Sequence, residues 1–183
     1  MYLARQSLQN RCFSFRTMEQ ASVLAHTFAT LFPDPPTAFH GLSELLVNAI
    51  EHGNLGIGFE EKTALLRQGI WREEIDRRLE SPQWLDNEAC LRFDANEDEV
   101  AITISDAGQG FDWEPYLTLP HERSHLPNGR GIATARLFAF SSIIYSDNGT
   151  SVRCTQTLKN SSHLQSGHHQ NAATVMQMAD YAN

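Results

Sequence analysis

Between Ala89 and Ser105 the chain is written as a hairpin. The run Ala89 to Asp94 and the run Glu99 to Ser105 flank Asn96-Glu97-Asp98, a turn-forming triplet. Val100, Ile102 and Ile104 alternate along the second run, which places them on one face of a strand. That face needs a cover, and the second strand leads straight into Asp106-Ala107-Gly108-Gln109-Gly110. Any fold for this chain has to pack helices on one side of the hairpin and leave the glycine-rich loop at its end.

The remaining periodicities supply the cover. Cys12 to Arg16 reads as a short strand, and Met18 to Phe32 as a helix with Ala21, Leu24, Ala25, Phe28 and Phe32 on one side. Pro33, Pro35 and Pro36 are expected to end it. Thr37 is expected to cap a second helix that runs to about His52 and stops at Gly53, with Leu42, Leu45, Leu46, Ala49 and Ile50 as its apolar stripe. A charged helical stretch follows from Lys62 to Leu79. After the glycine loop, Trp113 to Asn128 is irregular, Gly131 to Phe140 helical, and Ser142 to Tyr145 and Ser151 to Leu158 form a last hairpin around Asp147-Asn148-Gly149. Strand, helices, two strands, helix and two strands predict an α+β two-layer sandwich, with a mixed, mainly antiparallel sheet covered on one face. One domain over 1–158 is expected. Beyond it, 159–183 reads as a polar tail, disordered from Asn160 to Asn171, with a short helix over Ala172 to Tyr181 and with His163, His168 and His169 as solvated residues.

Composition narrows the function classes. Net charge is −8, and Lys62 and Lys159 are the only lysines, so the basic footprint of a nucleic-acid binder is missing. Cys12, Cys90 and Cys154 are odd in number and lack metal-ligand spacing, and three reduced thiols are expected. No segment has a signal-peptide pattern or the apolar length of a membrane span, which predicts a soluble, cytoplasmic protein with no membrane partner.

Four blocks carry candidate chemistry. In Asp106-Ala107-Gly108-Gln109-Gly110 the two glycines let the backbone approach a flat ring, and the acid can accept from an exocyclic amine. In Glu44-Leu45-Leu46-Val47-Asn48-Ala49-Ile50-Glu51-His52-Gly53-Asn54, Glu44 and Asn48 are four apart and share a helix face. An amide oxygen there suits Mg²⁺, and a carboxylate one turn away suits a general base. Asn128-Gly129-Arg130-Gly131-Ile132 opens a helix whose backbone amides can meet an anion. Thr150, after Gly149, stands where it can reach a purine or simply complete a turn. Each block alone also occurs in ordinary turns and solvated helices.

Together and in this order, they resemble the N, G1, G2 and G3 boxes of the Bergerat (HATPase, GHKL) fold shared by gyrase-type ATPases, histidine kinases and MutL, over roughly Phe13 to Leu158. Within it the chain is most similar to the anti-sigma-factor serine kinases, because Glu44 stands where histidine-kinase N boxes usually have asparagine. The resemblance implies ATP and Mg²⁺ as cofactors, with Asp106 at the adenine amine and Gly108 and Gly110 at the ring. It further implies Asn48 at Mg²⁺, Glu44 as catalytic base, a lid over about 113–129, and Gly129 and Gly131 at the phosphates. His52, Asn128, Arg130, Ile132 and Thr150 complete the expected binding set. A helical insertion over about 57–84 departs from the small serine kinases. Packing on its own domain is its default role; covering the edge of the nucleotide site, a homodimer surface and a partner surface are the alternatives.

The activity implied is ATP-dependent phosphorylation of a serine or threonine on an anti-sigma-antagonist-type protein, alternating with capture of a sigma factor in bacterial partner switching. A module that binds ATP and sequesters a partner without transfer would have the same pocket. A histidine-kinase catalytic domain is the third reading, for which His26 and His40 belong to the wrong part of the chain.

Overall fold

The computed structural model describes residues 8–119 and 127–158. Its element order is β1 (Cys12–Phe15), α1 (Met18–Ala29), α2 (Pro35–Asn48), α3 (Phe59–Gln68), α4 (Trp71–Leu79), β2 (Ala89–Ala95), β3 (Glu99–Ser105), α5 (Gly131–Thr134), β4 (Ser142–Ser146) and β5 (Ser151–Thr157). The expected tail, including His163, His168, His169 and the helix over Ala172 to Tyr181, lies outside the described residues, as do positions 120–126 of the expected lid.

The strands form one sheet in the order β1-β2-β3-β5-β4, and all four pairings are antiparallel. The sheet is therefore not mixed as expected: among the described residues the only parallel contact is an isolated bridge between Gln9 and Phe93. Hairpin connections at Asn96–Asp98 and Asp147–Gly149 account for two of the four pairings, β2 with β3 and β4 with β5, since short turns can join only antiparallel neighbours. Phe15, Leu91, Phe93, Val100, Ile102, Ile104, Tyr145, Val152 and Cys154 are buried in one core with Phe28, Leu42, Leu45, Leu46 and Ile50 from the helices. The opposite face carries Ser14, Arg92, Thr103, Arg153 and Ile144 in register. The chain is an α+β protein whose helices cover the apolar side of an antiparallel sheet. No helix among the described residues is long and apolar enough to cross a membrane.

Local chemistry sets the helix boundaries. A capping box between Thr17 and Gln20 starts α1. Pro35 and Pro36 do not close α1; they occupy the first turn of α2, where a missing N–H costs nothing, and Asp34 rather than Thr37 caps it by accepting from Thr37 N–H at 3.2 Å. The α-helical ladder of α2 ends at Asn48, and Ala49–Asn54 widens into a π-turn. Such widenings concentrate at functional sites. The expected single helix from Lys62 to Leu79 is two, because Gly69 takes the left-handed conformation (φ 72°). The last helix likewise changes from α to π geometry at Ala135.

The cysteine expectation is corrected. Cys12 and Cys90 are joined by a disulfide, and Cys154 alone remains a thiol, its pKa pushed up to about 12 by burial. The pair is 78 residues apart in sequence, so no spacing reveals it. Pairing Ser14 with Cys90 places Cys12 on the same face, on the diagonal, at a Cα–Cα distance of 5.6 Å.

Candidate functional site

Helix α2 and its π-turn lie between the two glycine loops and touch both. At one end the Asp106 carboxyl packs on the α-carbon of Gly53, where an added methyl would meet Oδ1 at 2.5 Å. At the other, the Glu44 carboxyl packs on Gly131 at the start of α5, where a methyl would meet Oε2 at 2.0 Å. Three of the four predicted blocks are thereby brought into direct contact. The fourth joins through the backbone: Asp106 N–H donates to Thr150 O at 2.9 Å, so β3 and β5 hold Thr150 beside the acid.

Asp106 is partly buried, and its pKa is pushed up to about 6 by that burial, against the lowering pull of the Gly108 N–H it accepts at 2.9 Å and of His52. A carboxylate with one internal donor and little solvent is suited to take a further N–H from a ligand. Gly110 is at φ 80°, and a side chain there would drive into Asn148 O at 1.9 Å, so the loop can seat on the β4–β5 turn only with glycine. Asn54, to which the sequence pattern gives no role, is 2% exposed and accepts the Ala107 N–H through Oδ1 at 3.0 Å. It fixes the loop to the end of α2. Beyond the loop, Phe111 and Trp113 meet Tyr145 at ring distances of 5.6 and 5.3 Å.

Glu44 is exposed overall, but crowding around its tip raises its pKa above the usual carboxylate range. The like charge of Glu51 adds to this, while Lys62, His40 and Arg130 oppose it. Asn48 stands one turn further on, half-buried at the end of α2. Among the described residues no cluster of three His, Cys, Asp or Glu side chains could hold a metal alone. A single amide oxygen fits a hard cation that keeps its waters and takes its other ligands from phosphates.

The remaining predicted residues divide. Gly129, Arg130 and Gly131 lead into α5 next to Glu44. The Asn128 side chain is spent elsewhere: Thr63 donates to its Oδ1 at 2.8 Å and its Nδ2 donates to Phe59 O at 3.2 Å. Ile132 is 7% exposed in the core, and Thr150 donates its hydroxyl to Asp147 O at 2.8 Å. Both ring nitrogens of His52 are engaged, Nδ1 with Ile57 O at 2.5 Å and Nε2 with Glu51 Oε1 at 3.0 Å.

Glu51 and Lys62 are the pair the sequence reading missed. Glu51 is fully buried, bonded to the Lys62 ammonium and accepting the Trp71 indole N–H at 3.0 Å. Burial alone would raise its pKa, but His52 and Lys62 outweigh burial and hold it below the usual range. Helices α3 and α4 are thereby tied to the end of α2. The first turn of α3 also reaches the far loop, with the Phe59 ring against Gly129 and 5.9 Å from Tyr116. Arg78, 9% exposed, ties α4 to Glu61 of α3 and to Leu55 O at 2.8 Å, and pairs within its own helix with Glu74 at 2.7 Å. Two surface hollows of about 300 and 310 Å³ lie along α1, lined by His26 and Phe39 in one case and Glu19 and Val23 in the other; neither takes in a residue of the four blocks.

The chain matches no protein-family model and no curated protein. The site has to be read from its own geometry.

Proposed function

We propose that this chain is an ATP-binding serine/threonine protein kinase of anti-sigma-factor type, built on the Bergerat fold and acting in partner switching. The observation that carries the reading is the double contact of one helix: Asp106 on Gly53 at one end and Glu44 on Gly131 at the other. Glu44 and the Gly53 on which Asp106 packs stand nine positions apart on one continuous helical segment, with Asn48 between them.

Asp106 would accept from the adenine amine, with Gly108 and Gly110 admitting the ring and Thr150 beside it. Asn48 would hold Mg²⁺ through its amide oxygen, and the backbone at Gly129 and Gly131 would meet the phosphates. Bound Mg²⁺·ATP supplies the phosphoryl group and a neutralised leaving group. Glu44 would take the proton from a serine or threonine hydroxyl of the partner, a role that suits a carboxylate whose pKa is already displaced upward. The partner class, an anti-sigma-antagonist-type protein with a sigma factor as alternate ligand, follows from the resemblance of the Glu44-to-Asn54 block.

The test is calorimetric titration of the full chain with ATP, with and without Mg²⁺, followed by incubation with γ-labelled ATP and an anti-sigma-antagonist-type protein. Mg²⁺-dependent binding and label on the partner are expected. No ATP binding would sink the reading, and binding without transfer would leave a sequestering module in place of a kinase.

A further inference from the structure

The inserted helix α3 works on two neighbours at once. Lys62 bonds Glu51 at the end of α2. Phe59 and Thr63, four apart and so on one side of the helix, meet the segment that leads into α5. The single proton of the Thr63 hydroxyl is shared between Asn128 Oδ1 at 2.8 Å and Phe59 O at 2.9 Å, and Asn128 Nδ2 donates to the same Phe59 carbonyl at 3.2 Å. Thr63 and Asn128 are 8% and 7% exposed, so this polar cluster is closed off from solvent. The Phe59 ring lies on the α-carbon of the next residue, Gly129, where an added methyl would meet Cε2 at 2.6 Å.

Attachment of the insertion does not account for this second set of contacts. Helices α3 and α4 are already fixed at Glu51 through Lys62 and Trp71, and at Leu55 O through Arg78. What the second set holds is a stretch that has little to hold itself. Gly129 is at φ 88°, in the left-handed region, and a residue later Gly131 opens α5. A glycine-rich stretch loses much backbone freedom when a ligand orders it, and that loss subtracts from affinity. With the Asn128 side chain bonded to Thr63, the Phe59 ring on Gly129 and the Glu44 carboxyl on Gly131, the stretch is gripped along its whole length.

We propose that Thr63 and Phe59 are positioning residues for the backbone of Gly129 and Gly131, and that the inserted helix braces this loop in the shape that receives the phosphates of the nucleotide. This rests on the nucleotide reading above and assigns the insertion a role within the same site.

The experiment uses the full chain as wild type, Thr63→Val, Thr63→Ser, Asn128→Ala and the double variant Thr63→Val/Asn128→Ala. Valine keeps the shape of threonine without the hydroxyl, and serine restores the hydroxyl. Nitrogen-15 relaxation without nucleotide reads the brace itself. Order parameters at Gly129 and Gly131 are expected near the rigid value of about 0.85 in wild type and Thr63→Ser, and below about 0.6 in Thr63→Val. Calorimetric titration with Mg²⁺ and ATP reads the consequence. Affinity is expected to fall about tenfold in Thr63→Val and in Asn128→Ala, to recover in Thr63→Ser, and to fall no further in the double variant, because the two side chains form one contact. Unchanged order parameters, unchanged ATP affinity, or losses that add in the double variant would overturn the assignment and leave Thr63 as an ordinary buried contact. Asn128→Ala leaves the Thr63 hydroxyl bonded to Phe59 O, so it carries the same test if Thr63→Val does not fold. Wild type that binds no ATP would remove the nucleotide reading, and the role proposed here with it, whatever the order parameters show.

Discussion

The Glu44 carboxyl rests directly on the α-carbon of Gly131, in the space a methyl group would need. The obstructing atoms are the far end of a flexible side chain, so Gly131→Ala should displace Glu44 without harming the fold. Alanine in a first helical turn is worth up to about 1 kcal/mol over glycine. Melting temperature is expected to hold or rise while phosphoryl transfer falls about 10²-fold, the usual effect of misplacing a reacting group by an ångström. Thermal melting alongside a labelled-phosphate assay checks both halves, and unchanged transfer would show that the contact does not position Glu44.

Replacing the base itself separates binding from chemistry. Glu44→Gln keeps the shape and the contact with Gly131 but cannot take a proton. ATP affinity should change less than about threefold and transfer should drop by roughly 10²–10⁴-fold. Single-turnover kinetics at saturating ATP reads the second quantity directly, and a wild-type rate would remove Glu44 from the mechanism.

Asp106 gives a pH signature. Burial lifts its pKa to about 6 from an ordinary 3.8, so the folded chain holds this proton more tightly than the unfolded chain. Its contribution to stability is therefore greatest below about pH 4 and is lost as pH rises through about 6. Asp106→Asn keeps an oxygen for the Gly108 N–H and removes the buried charge, so the variant should gain melting temperature relative to wild type at pH 7 and not at pH 4. The same substitution should abolish ATP binding. Wild-type affinity should fall by up to tenfold per pH unit below about 6, as the carboxylate that accepts the amine is protonated. Melting and calorimetry across pH 4–8 test all three, and wild-type affinity in the variant would end the pocket assignment.

Glu51 should matter more to folding than any other charged residue here. Glu51→Ala leaves the Lys62 ammonium and the Trp71 indole N–H without their buried partner, a change that costs about 3–5 kcal/mol. Urea unfolding of the variant gives the number; a loss below about 1 kcal/mol would mean that solvent already reaches the pair.

The sequence reveals the parts of this molecule that repeat with a period. Alternation at Val100, Ile102 and Ile104 places β3 in the core, and the leucine stripe at Leu42, Leu45 and Leu46 places α2 over it. The turn glycines locate the loops. Features that depend on one residue meeting another far along the chain leave no such trace. Gly69 is a local exception, a left-handed step between α3 and α4 that periodicity smooths over. Cys12 and Cys90 become neighbours only through strand register. Lys62 reads as one more charge on a charged helix until α3 folds back on Glu51, and Asn54 reads as the residue after a helix-ending glycine until Ala107 donates to it. The candidate residues legible in advance are those marked by a glycine turn or a helix spacing, and those missed are joined to them through tertiary contacts.

The double attachment of the insertion has a practical meaning for anyone wishing to cut the chain down to a minimal domain. Excising the stretch from Phe59 to Glu80 would not shave off an ornament. It would uncap a buried acid, strip Asn128 of its hydroxyl partner Thr63, and take away the ring against which Gly129 rests. A shortened version would need Glu51 rewritten as an apolar residue and the Gly129 loop repacked before it could hold its shape, because α3 and α4 form part of the wall around both.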